Sequence, residues 1–357
     1  MGMFKDMLGN DESLFRNHVA LDYDYMPKMI RYREAEQRQI ASCIKPIFSE
    51  RNGRNAVVFG APGVGKTLAA KHILEEIDNE TDEILTVYVN CWKSDTTYKI
   101  FLEICDVLGY KFTVNKKTEE LFAEIKRIVN KKSAVFVFDE IDRAKDYDFL
   151  YTILEDIYRK SVILVTNFKQ WSMELDQRIK SRLMPESIEF LPYNPEETRG
   201  ILKERMEYAF VPDIWDTEAF NMIVRKAVGF GDIRRGLYLM REAGNCAEEA
   251  SSRKILLDHV NKAVAKIEDF LVNSKEELGD ESKEVLELIK KNSGKKIGDI
   301  FKIYQDGGGD NNYKWFQRRI AKLEEGRFIT AKKITGGAEG TTTILEYSQP
   351  TKKLTEF

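Results

Sequence analysis

VVFGAPGVGKT, residues 57–67, carries an apolar run into the spacing G-x-x-x-x-G-K-T, and LAAKHIL (68–74) continues it with helical periodicity. Strand, glycine-rich loop and helix follow in the order in which this spacing forms a phosphate-binding loop. The glycines let the backbone wrap closely around an anion, and the first N–H groups of the following helix point at it. Gly60, Ala61, Pro62, Gly63, Val64, Gly65, Lys66, Thr67 and Leu68 are therefore the candidate nucleotide contacts. Lys66 has the reach for the β- and γ-phosphates, and Thr67 the hydroxyl for Mg²⁺. The alternative is an ordinary glycine turn, which the strand–loop–helix context disfavours.

Downstream, AVFVF (134–138) is a continuous apolar run suited to a central parallel strand covered on both faces, and it ends in DEID (139–142). At the carboxyl end of a strand, Asp139 can hold Mg²⁺ through water while Glu140 orients the attacking water. Asp142 reads as surface or capping chemistry. SVILV (161–165) forms another strand, closed by Thr166 and Asn167. The Asn167 amide either senses the γ-phosphate or simply makes a turn. ILTVYV (84–89) and 187–190 complete five strands, with helices expected at 97–108, 117–130 and 172–181, the last followed by Arg182 and carrying Arg178. Alternating strands and helices give a three-layer α/β domain over 21–193.

Before the loop, residues 1–20 read as a mobile arm. YDYMPKMIRYRE (23–34) then leads into a helix at 34–49. Tyr25 and Arg33 either cover a nucleotide base or belong to a helix packed on the sheet. Tyr193, at the domain's end, is a further candidate nucleotide contact. From the helix-start signal PEE (195–197), residues 194–272 are all helical (196–208, 217–227, 232–249 and 254–270), a lid beside the nucleotide domain. GDIRR (231–235) opens one lid helix; Arg234 is the candidate to extend into the cleft, Arg235 the surface residue.

A hinge at 273–281 leads to a last module, 282–357: helices at 282–291, 297–304 and 311–325, then strands 328–331 and 343–347 flanking GGAEG (336–340). Three helices and a glycine-tipped hairpin describe a winged helix. Its third helix offers Lys314, Gln317, Arg318, Arg319 and Lys322 to phosphates and base edges, and Lys332 and Lys333 sit at the wing's base. Winged helices also mediate protein contacts, so the module alone leaves both uses open. The module holds 15 Lys/Arg against 10 Asp/Glu in a chain whose net charge is −3, a bias that suits a polyanion or merely a solvated surface.

Composition bounds the rest. The 357 residues are 43% hydrophobic and 32% charged, as in a soluble globular protein, with no uninterrupted apolar run of 18 and no long apolar secretory region near Met1. No membrane role is expected. Cys43, Cys91, Cys105 and Cys246 lie far apart without metal-ligand spacing, and His18, His72 and His259 form no cluster. Structural thiols are expected, and zinc chemistry is not.

YMPKMIRYREAE (25–36), GAPGVGKT (60–67), VFDEID (137–142), VTN (165–167), DQRIKSRLMPESIEFLPYNPEE (176–197) and GDIRRGL (231–237) together resemble the archaeal origin-recognition and cell-division-control AAA+ ATPases, relatives of eukaryotic origin recognition complex subunits. The resemblance spans most of 20–347. It implies a parallel sheet of order 5-1-4-3-2, a helical lid and a winged helix that binds duplex origin DNA, with residues 95–108 as an extra helix touching DNA. It implies ATP or ADP with Mg²⁺, Asn167 as sensor one, Arg234 as sensor two, and Arg178 or Arg182 directed at a neighbouring protomer's nucleotide. The expected function is an ATP-dependent replication initiator that recruits or loads the replicative helicase, with slow ATP hydrolysis as the reset, in the cytoplasm and on the chromosome. A mobile-element or repair ATPase, a scaffold that retains ADP and a transcription regulator are the competing readings. Two departures stand out: chromosomal relatives usually carry Ser-Ser at Ser181-Arg182, and often an arginine at the wing tip where Glu339 stands.

Overall fold

The computed structural model describes residues 13–169, 171–276, 280–325, 328–334 and 342–347. It divides into two compact units, Met1–Val260 and Asn261–Phe357. The division falls inside one helix, upstream of the hinge expected at 273–281, of which 277–279 lie outside the described residues.

The first unit is built on β1 (Ala56–Gly60), β2 (Ile84–Asn90), β3 (Ser133–Asp139), β4 (Lys160–Thr166) and β5 (Glu186–Phe190), all parallel in the order β2-β3-β4-β1-β5. This is the expected 5-1-4-3-2 read from the other edge. Successive side chains of a strand face opposite ways, so β1 to β4 feed two cores, while the edge strand β5 feeds one. Phe136, Phe138 and Leu164 pack beneath α3 (Thr97–Val107), α4 (Thr118–Val129), α5 (Asp148–Asp156) and α6 (Gln177–Leu183). Val58, Val135, Val137 and Ile163 pack beneath α1 (Glu34–Ile44) and α2 (Lys66–Glu80). Every residue of β3 is buried, as its unbroken apolar run predicts.

The lid consists of α7 (Pro195–Ala209), α8 (Thr217–Phe230), α9 (Ile233–Glu249) and the first part of α10 (Leu257–Glu276). Side chains start the first three: Asn194 forms a capping box with Glu197, Asp216 accepts from two backbone N–H groups of α8, and Asp232 accepts from Arg234 N–H.

The second unit contains α11 (Asp280–Lys291), α12 (Ile297–Asp306), α13 (Tyr313–Glu325) and an antiparallel sheet of β6 (Lys295–Lys296), β8 (Thr342–Tyr347) and β7 (Ile329–Ile334), in that order. Val285, Ile289, Ile300, Phe316, Ile320, Leu323 and Leu345 form its core. The arrangement is a winged helix; its tip, GGAEG at 336–340, lies outside the described residues.

Four local expectations change. The helix expected at 34–49 stops at Ile44 and continues as a 3₁₀ turn, Lys45–Ser49, because Pro46 has no N–H to give an α-helix. The helix expected at 172–181 is a 3₁₀ turn, Trp171–Glu174, followed by α6, whose start is set by the Asp176 cap. Helix α5 has no counterpart in the sequence reading: its apolar stretch FLYTIL (149–154) lacks a capping signal and is too short for periodicity to separate helix from strand. The arm read as mobile over 1–20 is seated on the lid from residue 13 onward. Leu14 C=O accepts from Val211 N–H at 3.0 Å, Phe15 packs on Phe210 at 4.8 Å between centroids, and Ala20 and Leu21 are buried.

Candidate nucleotide site

Parallel pairing aligns the carboxyl ends of the strands, and the register decides which side chains meet there. Asn90 of β2 lies opposite Asp139 of β3, Phe59 of β1 opposite Thr166 of β4, and Gly60 opposite Phe190 of β5. Residues 101 positions apart in sequence, from Lys66 of the phosphate loop to Asn167, therefore converge on one sheet edge, where open α/β sheets bind ligands.

The loop leaves β1 through backbone that only glycine adopts easily. Gly63 has φ +80° and Gly65 φ +93°, in the left-handed region. A Cβ on Gly63 would overlap the Asp232 carboxylate, and one on Gly65 would sit 2.6 Å from the Tyr193 hydroxyl. The cradle is thus closed by groups from two other segments of the chain. The Lys66 ammonium is buried and donates to Gly60 C=O (2.8 Å), Ala61 C=O (2.9 Å) and Asn167 Oδ1 (3.0 Å). These bonds hold it across the mouth of the loop and join it to the end of β4. Burial lowers its pKa from the ordinary 10.5 to about 8, against the opposing pull of Asp139.

The acidic element is equally ordered. Asp139 Oδ2 accepts from the Thr67 hydroxyl at 2.7 Å and from the Tyr88 hydroxyl at 2.8 Å, while Oδ1 accepts from Glu140 N–H at 2.9 Å. Thr67 and Asp139 form a donor set of oxygens only, which suits a hard divalent ion completed by phosphate and water. The pair fits Mg²⁺. Glu140 sits in left-handed backbone at φ +52°, and burial with the neighbouring Asp139 and Asp142 charges raises its carboxyl above the usual range. Asp142 corrects its expected surface role: its side chain is buried, accepts from Thr166 Oγ1 at 2.7 Å and pairs with Arg143, tying the end of β3 to the end of β4.

From the lid, Asp232 and Arg234 reach this edge together. Arg234 donates from Nε and Nη2 to the two Asp232 oxygens at 3.0 and 2.8 Å. The Glu140 carboxylate is close enough to raise the pKa of Arg234 further, although Asp232 is the main cause.

Arg33 is only 3% exposed and works as a clamp. Its Nε donates to Val64 C=O at 2.9 Å and its Nη2 to Leu191 C=O; Nη1 donates to Tyr32 C=O and Glu36, and the guanidinium lies 3.9 Å from the Tyr193 ring centroid. It ties the phosphate loop to the segment after β5. Tyr25 meets the lid instead: the Arg205 guanidinium stacks 4.6 Å over its ring and donates to its carbonyl. Arg178 is held by its own cap, Asp176, and is well exposed, whereas Arg182 pairs with Glu155 of α5 and packs on Tyr151. Arg182 is thus occupied by a salt bridge within its own protomer. All four cysteines are buried and unpaired.

Tyr88, Asp232 and the Asp142–Thr166 link escaped the sequence reading. A tyrosine inside an apolar strand signals nothing until the register is known. Asp232, by contrast, was legible as a helix cap in GDIRR.

In the winged-helix unit, Lys314, Gln317 and Arg318 of α13 are exposed. Arg319 is engaged: it pairs with Glu281 of α11 and lies 5.2 Å over the Trp315 ring. The side chains of Lys322, Lys332 and Lys333 are outside the described set. No described helix is long and apolar enough to cross a membrane.

Comparison with known proteins fits this geometry. Residues 50–168 match the AAA domain family, and residues 199–265 match the Cdc6 AAA+ ATPase-type lid domain. The chain is 30% identical to ORC1-type DNA replication protein 2 of Methanothermobacter thermautotrophicus over 96% of its own length and 94% of that protein's. It is 31% identical to ORC1-type DNA replication protein 1 of Sulfolobus acidocaldarius, covering 92% of this chain and 89% of that one. Among solved structures it resembles the Aeropyrum pernix ORC1 protein in complex with DNA, with TM-score 0.70, 26% identity, and coverage of 95% and 94%. With an AAA domain and a Cdc6-type lid in place and near-complete alignment to archaeal relatives, the chain belongs to the ORC1-type DNA replication proteins, a branch of the AAA+ ATPases.

Proposed function

We propose that this protein is an ATP-controlled replication initiator: it binds duplex origin DNA through its winged helix and helps recruit or load the replicative helicase. The observation that carries the reading is the meeting of Lys66, Thr67, Asp139, Glu140 and Asn167 at one strand-end edge, with Arg234 brought to it from the lid. The A. pernix ORC1 protein, solved with DNA, supports the DNA partner.

Nucleotide acts as a ligand that reorders the site. In the resting arrangement Lys66 and Arg234 spend their charges on Asn167, backbone carbonyls and Asp232. A bound triphosphate offers both cations a stronger partner, so Arg234 leaves Asp232 for the γ-phosphate and draws α9 and the lid over the cleft. Asn167, released by Lys66, holds the attacking water against Glu140. Mg²⁺, held by Thr67 and, through water, by Asp139, would neutralise charge developing on the β- and γ-oxygens. Glu140, with its raised pKa, takes up the proton of the attacking water, and loss of the γ-phosphate returns Arg234 to Asp232. Slow turnover follows from the missing trans arginine in a single protomer; both arginines pair with a carboxylate, and Arg178, the more exposed of the two, is the better candidate to supply it to a neighbour.

The test is genome-wide DNA occupancy of the wild type and Lys66→Ala. Occupancy concentrated at a replication start, and lost in the variant, is the expected result; promoter-wide binding indifferent to Lys66 overturns the initiator reading.

A further inference from the structure

The Asp139 carboxylate takes three donors, and one of them, Tyr88, belongs neither to the phosphate loop nor to the acidic strand end. Tyr88 lies on β2, opposite Val137 of β3, and its ring faces the layer of α1 and α2, where the Lys71 ammonium sits 4.8 Å over it. From there the hydroxyl reaches Asp139 Oδ2 at 2.8 Å, the same oxygen that accepts from Thr67.

A carboxylate oxygen with two donors, on a group whose other oxygen holds a backbone N–H, has no freedom to rotate about its terminal bond. The Thr67 hydroxyl spends its single proton on Asp139 and so turns lone pairs outward, the orientation a cation needs. Tyr88 braces the same oxygen from a different strand, so Asp139 does not depend on the loop alone for its orientation.

We infer that Tyr88 is a positioning residue for the divalent-cation site, acting through Asp139 without touching the ion. This rests on the nucleotide-site reading above. Outer partners of this kind typically contribute tenfold or more to metal affinity.

The experiment measures Mn²⁺ binding to the full-length ADP complex by electron paramagnetic resonance, and ADP binding without divalent ion by calorimetry, for wild type, Tyr88→Phe and Lys71→Met. Tyr88→Phe keeps the ring and removes only the hydroxyl. The expected result is Mn²⁺ affinity weakened about tenfold in Tyr88→Phe, unchanged metal-free ADP affinity, and Lys71→Met within about twofold of wild type in Mn²⁺ affinity. Tyr88→Phe matching wild type for Mn²⁺ overturns the inference. So does an equal loss of metal-free ADP affinity, or a tenfold Mn²⁺ loss in Lys71→Met, each of which assigns the effect to ring packing. A wild-type protein that binds ADP but gains no Mn²⁺ site with it would instead sink the nucleotide-site reading itself.

Discussion

Replacing Arg33 by methionine separates the base-covering role offered by the sequence from the clamp on the protein's own loop that the structure reveals. Methionine keeps much of the aliphatic stem and removes the guanidinium. Val64 C=O and Leu191 C=O then lose their donor, the Glu36 carboxylate loses its ion-pair partner, and the Tyr193 ring loses the cation stacked at 3.9 Å. The side chains of Arg33 and Glu36 are only 4% and 17% exposed, so water does not substitute freely. Breaking one side of a buried, hydrogen-bonded pair costs about 3–5 kcal/mol. For a unit the size of Met1–Val260, at roughly 2 °C per kcal/mol, the melting temperature falls by about 6–10 °C. The assay is thermal unfolding followed by circular dichroism in the absence of nucleotide, with Arg33→Lys alongside. Lysine keeps the charge but not the fork, and is expected to fall between the two. A nucleotide-free Arg33→Met that melts within about 2 °C of wild type while losing ADP affinity would refute the clamp and leave base covering as the role.

Three further predictions concern the site and the DNA unit. Lys66 titrates at about 8 in the folded, nucleotide-free protein and at 10.5 when unfolded. Between those values the unfolded chain binds the extra proton, so the Lys66 contribution to stability rises with pH there, and below 8 its buried charge is a standing cost. Phosphate needs the ammonium form, so ADP affinity should fall about tenfold per pH unit above 8, and a fluorescent-ADP titration of Lys66→Met should lose that slope. Glu140→Gln should bind ATP as wild type does but hydrolyse it at least about a hundredfold more slowly, the lower end of the range for one general acid–base group; a wild-type phosphate-release rate in the presence of DNA would remove Glu140 from the mechanism. In the second unit, Arg318→Ala should weaken DNA binding evenly across sequences and reduce the salt slope by about one. Arg319→Ala should instead lower stability, through its lost contacts with Glu281 and Trp315, with the slope nearly unchanged. Fluorescence anisotropy at several salt concentrations distinguishes them.

Much of this molecule is local, and so legible from the chain alone. The phosphate loop is a short segment whose glycines and lysine carry their geometry with them, and β3 announces itself by an apolar run that only a doubly covered strand tolerates. The lid helices begin at Asn194, Asp216 and Asp232 because a side-chain oxygen close in sequence caps each. Even Asn167 and Arg234 were readable as candidates, since each stands at a recognisable element end.

Tertiary structure decided what those residues touch. Arg33 lies 31 positions from Val64 and 158 from Leu191, and no pattern in the chain says that one guanidinium joins both. Tyr88 reads as an ordinary strand residue until β2 pairs with β3 and sets its hydroxyl on Asp139. Arg319 reads as a DNA contact until α13 packs on α11 and Glu281 claims it. Local sequence determines backbone shape through sterics and caps, whereas a polar side chain's partner depends on sheet register and helix packing, which bring distant segments within hydrogen-bond range.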